Sequence, residues 1–127
     1  MFEFGERSLR NLEGVNPKLQ QLAKEALQES KVDFLITEGL RTKERQKELV
    51  AKGLSNTMKS KHITGHAIDI VPYPIDWNDW GKFLEIYEAF KVASAKNGIK
   101  FRWGGDWNMN GTFKDERFMD GPHFELI

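Results

Sequence analysis

The chain has 127 residues, the length of one compact domain, and 39% hydrophobic with 12% aromatic content supplies a real core. Its 19 basic and 19 acidic side chains cancel, which argues against a nucleic-acid-binding field and against an acidic disordered tail. Cysteine is absent, so disulfides and thiolate zinc sites are excluded; a zinc ion here must be held by histidine and carboxylate, a donor set more common in catalytic than in structural sites.

The opening MFEFGERSLR has no apolar run of signal-peptide length, and no stretch is long enough to span a membrane. The expectation is a soluble protein made in the cytoplasm without its own export signal. With no repeat, linker or low-complexity tract, residues 1–127 read as a single domain.

The segment NPKLQQLAKEALQES predicts a helix. Asn16 caps it, Pro17 occupies the first helical position, and Leu19, Leu22, Ala23, Ala26 and Leu27 form one apolar face. DFLITEG follows as a short strand. TKERQKELVAKG predicts a second helix with Thr42 as cap and Gly53 as stop. HAIDIVP reads as a strand ended by Pro72. NDWGKFLEIYEAFKVASAKNG is the longest helix, with Trp80, Phe83, Leu84, Tyr87 and Phe90 on its buried side and Gly98 as terminator. IKFRW and HFELI close the chain as strands. Helices and strands mix without regular alternation, which predicts an α+β fold with helices packed on a mainly antiparallel sheet.

SKHITGHAID, residues 60–69, carries two histidines and an aspartate. His62 and His66 are four apart, the spacing of a zinc-binding helix, but Ile, Thr and Gly between them are poor helix material and the glutamate of that motif is missing. A turn at Gly65 leading into a strand fits better. In that strand Ile68 and Ile70 face the core, while Asp69 points the other way beside the small Ala67. His66, at the strand entrance, is not expected to be a ligand. His123 opens the last strand on the face opposite Phe124 and Leu126, and Asp120 precedes it across a Gly-Pro turn. A carboxylate so placed is what metal-assisted hydrolysis needs as a general base. By spacing alone, an ordinary surface His–Asp hydrogen bond explains His62 and Asp69 as well as a metal site does.

These residues resemble a known group. SKHITGHAID matches S-x-H-x-x-G-x-A-x-D, DGPHFEL matches D-x-x-H, and GLRTKERQ and RWGGDW supply two supporting motifs in the same order. The chain resembles the zinc peptidases that include D-alanyl-D-alanine carboxypeptidases and dipeptidases and the L-alanyl-D-glutamate endopeptidases of bacteriophages. The likeness runs from end to end and implies the hedgehog/D,D-peptidase-like fold. It implies His62, Asp69 and His123 as zinc ligands, Asp120 as catalytic base, and Arg41 as the cation on the scissile carbonyl oxygen. Gln46 and Ser60 match positions lining the same pocket. Aspartate at position 120, where the carboxypeptidases usually have glutamate, is typical of the phage branch. The implied activity is that of an endolysin cutting the L-Ala–D-Glu bond of peptidoglycan stems. It would act as a monomer on the periplasmic wall after a holin opens the membrane. Single-domain length suits a thin Gram-negative wall. Rival readings are a D,D-carboxypeptidase or D-Ala-D-Ala dipeptidase and, from another class, a non-catalytic zinc-binding module.

Several residues keep two readings. Arg41 alone would be a surface charge, and Gln46 lies on a helix where exposed glutamines are commonplace. Trp80 and Trp103 fit core periodicity rather than a sugar-stacking surface. Glu125 either orients a ligand or is a strand-edge charge. Asp106, Asn108, Asn110 and Gly111 form the D-x-N-x-N-G opening of a calcium loop, but Arg117 stands where a bidentate glutamate is usual. The alternatives there are calcium binding and a plain Asn-Gly turn.

Overall fold

The computed structural model describes residues 2–54, 60–105 and 121–127. Among these residues, four helices and four strands follow in the order α1 (Glu6–Leu12), α2 (Pro17–Glu29), β1 (Phe34–Glu38), α3 (Lys43–Ala51), β2 (Ala67–Pro72), α4 (Trp80–Asn97), β3 (Phe101–Trp103) and β4 (His123–Leu126). The strands form one antiparallel sheet in the order β1-β2-β4-β3, the α+β architecture expected.

The helix ends follow from local chemistry. Asn16 accepts from the Lys18 amide with Pro17 behind it, Thr42 accepts from the Arg45 amide, and Asp79 accepts from the Lys82 amide. Gly98 ends α4 in the left-handed conformation, φ 64°. The apolar face of α2 is wholly buried and packs against α4. On α4 the buried residues are Phe83, Ile86, Tyr87, Ala89, Phe90 and Ala93. Trp80 and Leu84 lie only half-buried at the margin of the core, a step outward from their predicted place. The centre of the core is aromatic: Phe90 stacks on Phe124 with ring centroids 4.2 Å apart, and Tyr87 stacks on Trp103 at 4.5 Å. The Trp103 indole donates to the Gly121 carbonyl at 2.7 Å, so its burial leaves no orphaned N–H.

Helix α1 was not expected from the sequence. Gly5 offers no side chain to cap it, and only Ser8 and Leu12 are buried. Its role lies in two polar side chains. β1 is an edge strand, and the outward amide of Ile36 donates to Ser8 Oγ at 3.1 Å while the Ile36 carbonyl accepts from Asn11 Nδ2 at 2.7 Å. The helix thus supplies the hydrogen bonds that a further strand would have made.

The same helix sets the position of Gly39. A Cβ built there would lie 1.9 Å from the Asn11 carbonyl oxygen and 2.8 Å from a Val15 methyl. Only glycine lets the chain leaving β1 pass so close to the backbone at the end of α1. Gly39→Ala should therefore force the two segments apart and destabilise the protein by at least about 1–3 kcal/mol, read as a lower urea midpoint. A midpoint equal to wild type would show that the approach relaxes freely.

Candidate active site

Strand alternation places the site. On β2, Ile68 and Ile70 are fully buried in the core and Asp69 points to the opposite face. On β4, Phe124 is in the core and His123 points to the Asp69 side. Asp69 and His123 are direct cross-strand partners, and their side chains meet on one face. His62 comes from the turn before β2. Gly65, at φ 77°, reverses the chain there, and its carbonyl accepts from the Asn16 amide at 2.8 Å, anchoring the turn to the start of α2.

One ligand-type atom from each of His62, Asp69 and His123 lies within 4.8 Å of the others, a group of the kind that could hold a metal ion. His62 Nε2 is 3.2 Å and His123 Nδ1 3.5 Å from Asp69 Oδ1. Each imidazole is fixed from behind. His62 Nδ1 donates to the Gly39 carbonyl at 2.9 Å, and His123 Nε2 faces Glu125 Oε1 at 2.8 Å. With these acceptors behind them, the rings can carry protons on His62 Nδ1 and His123 Nε2, which would free Nε2 of one and Nδ1 of the other to bind a metal; a proton on either of those inner nitrogens is instead donated to Asp69. Acceptors behind both rings are the backing that metal-binding imidazoles commonly have. Burial pushes the Asp69 carboxyl up, but hydrogen bonds from His123 and His62 and their charge outweigh it and hold it well below the usual carboxylate range. His66 stays outside the group; its Nδ1 lies 2.8 Å from Thr64 Oγ1.

Arg41 lies beside this group, with 9% of its side chain exposed. Its Nη2 is 3.7 Å from Asp69 Oδ2, its Nη1 donates to Gln46 Oε1 at 2.7 Å, and Ser60 Oγ is 3.5 Å from Nη1. Ser60 Oγ also accepts from the His62 amide, and the Arg41 amide donates to the His62 carbonyl at 2.9 Å. Gln46 is fully buried, unlike the exposed glutamine that helix position alone suggests. The buried charge of Arg41 explains this: the amide oxygen satisfies a guanidinium N–H that water cannot reach. Asp120, Asp106, Asn108 and Asn110 lie outside the described residues.

Two features escaped the sequence reading. Glu38, at the end of β1, forms a two-point pair with Arg41, and Lys61 and Arg102 pair with Glu125 at 3.2 and 2.8 Å. The only signal for the first was the i,i+3 spacing of Glu38 and Arg41. The second follows from the register, which sets Arg102 directly across from Glu125.

The model of the phage L-alanyl-D-glutamate peptidase family matches residues 1–127. The L-alanyl-D-glutamate peptidase of Escherichia phage T5 is 44% identical over 135 residues, covering 99% of this chain and 98% of that protein. The enzyme of the same name from Listeria phage A118 is 35% identical over 123 residues, covering 94% of this chain and 41% of that protein. Among solved structures, the Serratia marcescens L-Ala D-Glu endopeptidase ChiX superposes with a TM-score of 0.85 at 40% identity, covering 99% of this chain and 90% of that one. The chain belongs to the phage L-alanyl-D-glutamate peptidase family.

Burial would raise the Glu125 carboxyl, but hydrogen bonds from His123 and Arg102, the charge of His123 and Lys61 together pull it from 4.5 down to about 2. A carboxyl lowered in the folded state stabilises the fold above its unfolded value and loses that contribution as pH falls through the folded one. Metal-free Glu125→Gln should thus be less stable than wild type at neutral pH by up to about 3 kcal/mol. The gap should close as pH falls from 4.5 to about 2. Urea melts across that range test this; a gap that persists undiminished at the acid end would remove the carboxylate from the account.

Proposed function

We propose that the protein is a zinc endopeptidase that hydrolyses the L-alanyl-D-glutamate bond of peptidoglycan stem peptides, and that it lyses bacteria as a phage endolysin. The observation that carries this reading is the His62–Asp69–His123 group in a chain that matches, over its full length, the family model named for that bond. The donor set fits zinc: two neutral imidazoles and one carboxylate converge, both imidazoles are backed by acceptors, and no thiolate is needed. Zinc held there would supply a Lewis acid for the scissile carbonyl and the attacking water.

The chain's own residues do the rest. Arg41 presents its guanidinium beside Asp69, where an N–H can meet the oxyanion that develops on the L-Ala carbonyl. Gln46 and Ser60 hold that guanidinium from the α3 side. Asp120 takes the proton of the attacking water and passes it to the departing amine of D-Glu. It precedes His123 by three residues in the sequence, and acting as base rather than metal ligand, as the resemblance implies, would leave its carboxylate the basicity that proton transfer requires. In this reading the protein acts on the cell wall and reaches it once a partner has opened the membrane. Among the described residues, no helix is long and apolar enough to cross a membrane.

Digestion of purified peptidoglycan, followed by mass spectrometry, should give fragments with new L-Ala carboxyl ends and D-Glu amino ends. Release of D-alanine or D-Ala-D-Ala instead would make the protein a D,D-peptidase. Chelation should abolish the activity and zinc restore it. His62→Ala, Asp69→Ala and His123→Ala should each lose zinc and stability together, since binding and folding are coupled.

Asp120→Ala should keep zinc and fold while slowing turnover about 10²–10⁴-fold. Arg41→Ala should also keep zinc, with a loss on the order of 10²–10³-fold. Metal analysis alongside the rate separates these variants from the ligand ones. Near-normal turnover in either would take that residue out of the mechanism.

A further inference from the structure

An arginine that meets a developing negative charge must be held in place before the charge appears. The Arg41 guanidinium is held along one edge. Nε donates to Glu38 Oε1 and Nη2 to Glu38 Oε2, both at 2.7 Å, the parallel fork that matches the two groups best. Nη1 is taken by the fully buried Gln46 at 2.7 Å. Nη2 also lies on the Asp69 side, 3.7 Å from Oδ2.

The sheet delivers Glu38 to this spot by an irregularity. The β1–β2 register runs regularly from Phe34 to Ile36, shifts between Ile36 and Glu38, and leaves Glu38 opposite Asp69. Asp69 is in turn opposite His123. One rung of the sheet therefore carries Glu38, Asp69 and His123 in a row. A bulge re-aims the side chains that follow it, and here it sets a carboxylate beside the metal-type group without making it part of that group. The next residue, Gly39, gives its carbonyl to His62. A short stretch at the end of β1 thus fixes both an imidazole and a guanidinium of the same site.

We propose that Glu38 is a positioning residue for the hydrolysis: its carboxylate sets the orientation of the Arg41 guanidinium toward the scissile carbonyl. The inference rests on the reading of Arg41 given above. The pairing does more than neutralise a buried charge. A single carboxylate oxygen would do that; the two-point fork also stops rotation about the last bonds of the arginine. The cost is that part of the positive charge is spent on Glu38, so the site trades strength at the oxyanion for fixed geometry.

The test is a double-mutant cycle on the zinc-loaded protein with a soluble stem peptide, measuring kcat, KM and bound zinc. Arg41→Ala and Glu38→Ala are made singly and together, and Glu38→Gln serves as a shape-preserving variant in case the alanine variant is too unstable. Glu38→Ala should lower kcat by up to about 10²-fold with KM changed far less and zinc content unaltered. Glu38→Gln should fall in between, because one oxygen acceptor remains. In the Arg41→Ala background, removal of Glu38 should cost no further activity, since the two act as a unit. If Arg41→Ala slows turnover but Glu38→Ala and Glu38→Gln keep wild-type kcat, or if the two losses multiply in the double variant, Glu38 does not act through Arg41 and the inference is overturned. If Arg41→Ala itself leaves kcat unchanged, the role of Arg41 fails first and the inference with it.

Discussion

A carboxylate lodged between two imidazoles, on a sheet face largely closed to water, is the constraint on which the rest of the structure depends. Asp69 is partly buried there, and nitrogens of His62, His123 and Arg41 gathered around it favour its ionised form. The three groups come from a turn and two strands, so their convergence demands a fixed register between β2 and β4 and a fixed turn before β2. A slip of one residue in either strand would send Asp69 or His123 into the core and an isoleucine or phenylalanine onto the site. The stacked pair Phe90–Phe124, directly behind His123 in the chain, makes such a slip costly.

Around this centre the polar groups are arranged in dependent layers. Gly39 and Glu125 hold the imidazoles; Arg102 and Lys61 hold Glu125; Glu38 and Gln46 hold Arg41. Each charged member is matched by an opposite charge or a dipole, which is how so many ionic side chains coexist at low exposure without a field of one sign. The chain's overall neutrality is thus reproduced locally.

Much of this was legible in the sequence because it rests on short periods. Alternation within HAIDIV and HFELI separates Asp69 and His123 from the core residues beside them, and the caps at Asn16 and Thr42 and the stop at Gly98 are single-residue signals. What escaped depends on long-range geometry. α1 has no side-chain cap and buries only two residues, so nothing local announces a helix; its reason is the edge of β1. The burial of Gln46 follows from Arg41, and the fork at Glu38 from a bulge, neither of which a helical or strand period encodes. The orientation of Glu125, open between two readings in the sequence, is settled by its cross-strand position next to His123 and opposite Arg102.

Ser8 and Asn11 have a consequence beyond the fold itself. An exposed sheet edge is a template on which another chain can pair, and unprotected edges are where folded proteins begin to join one another. At β1 the outward amide and carbonyl of Ile36 are already engaged by α1, so an incoming strand meets no donor or acceptor at the middle of that edge. Seven residues that look unremarkable in the sequence thus take up the pairing groups at the middle of this edge, on the flank of the sheet that ends in Glu38 and leads on to Arg41.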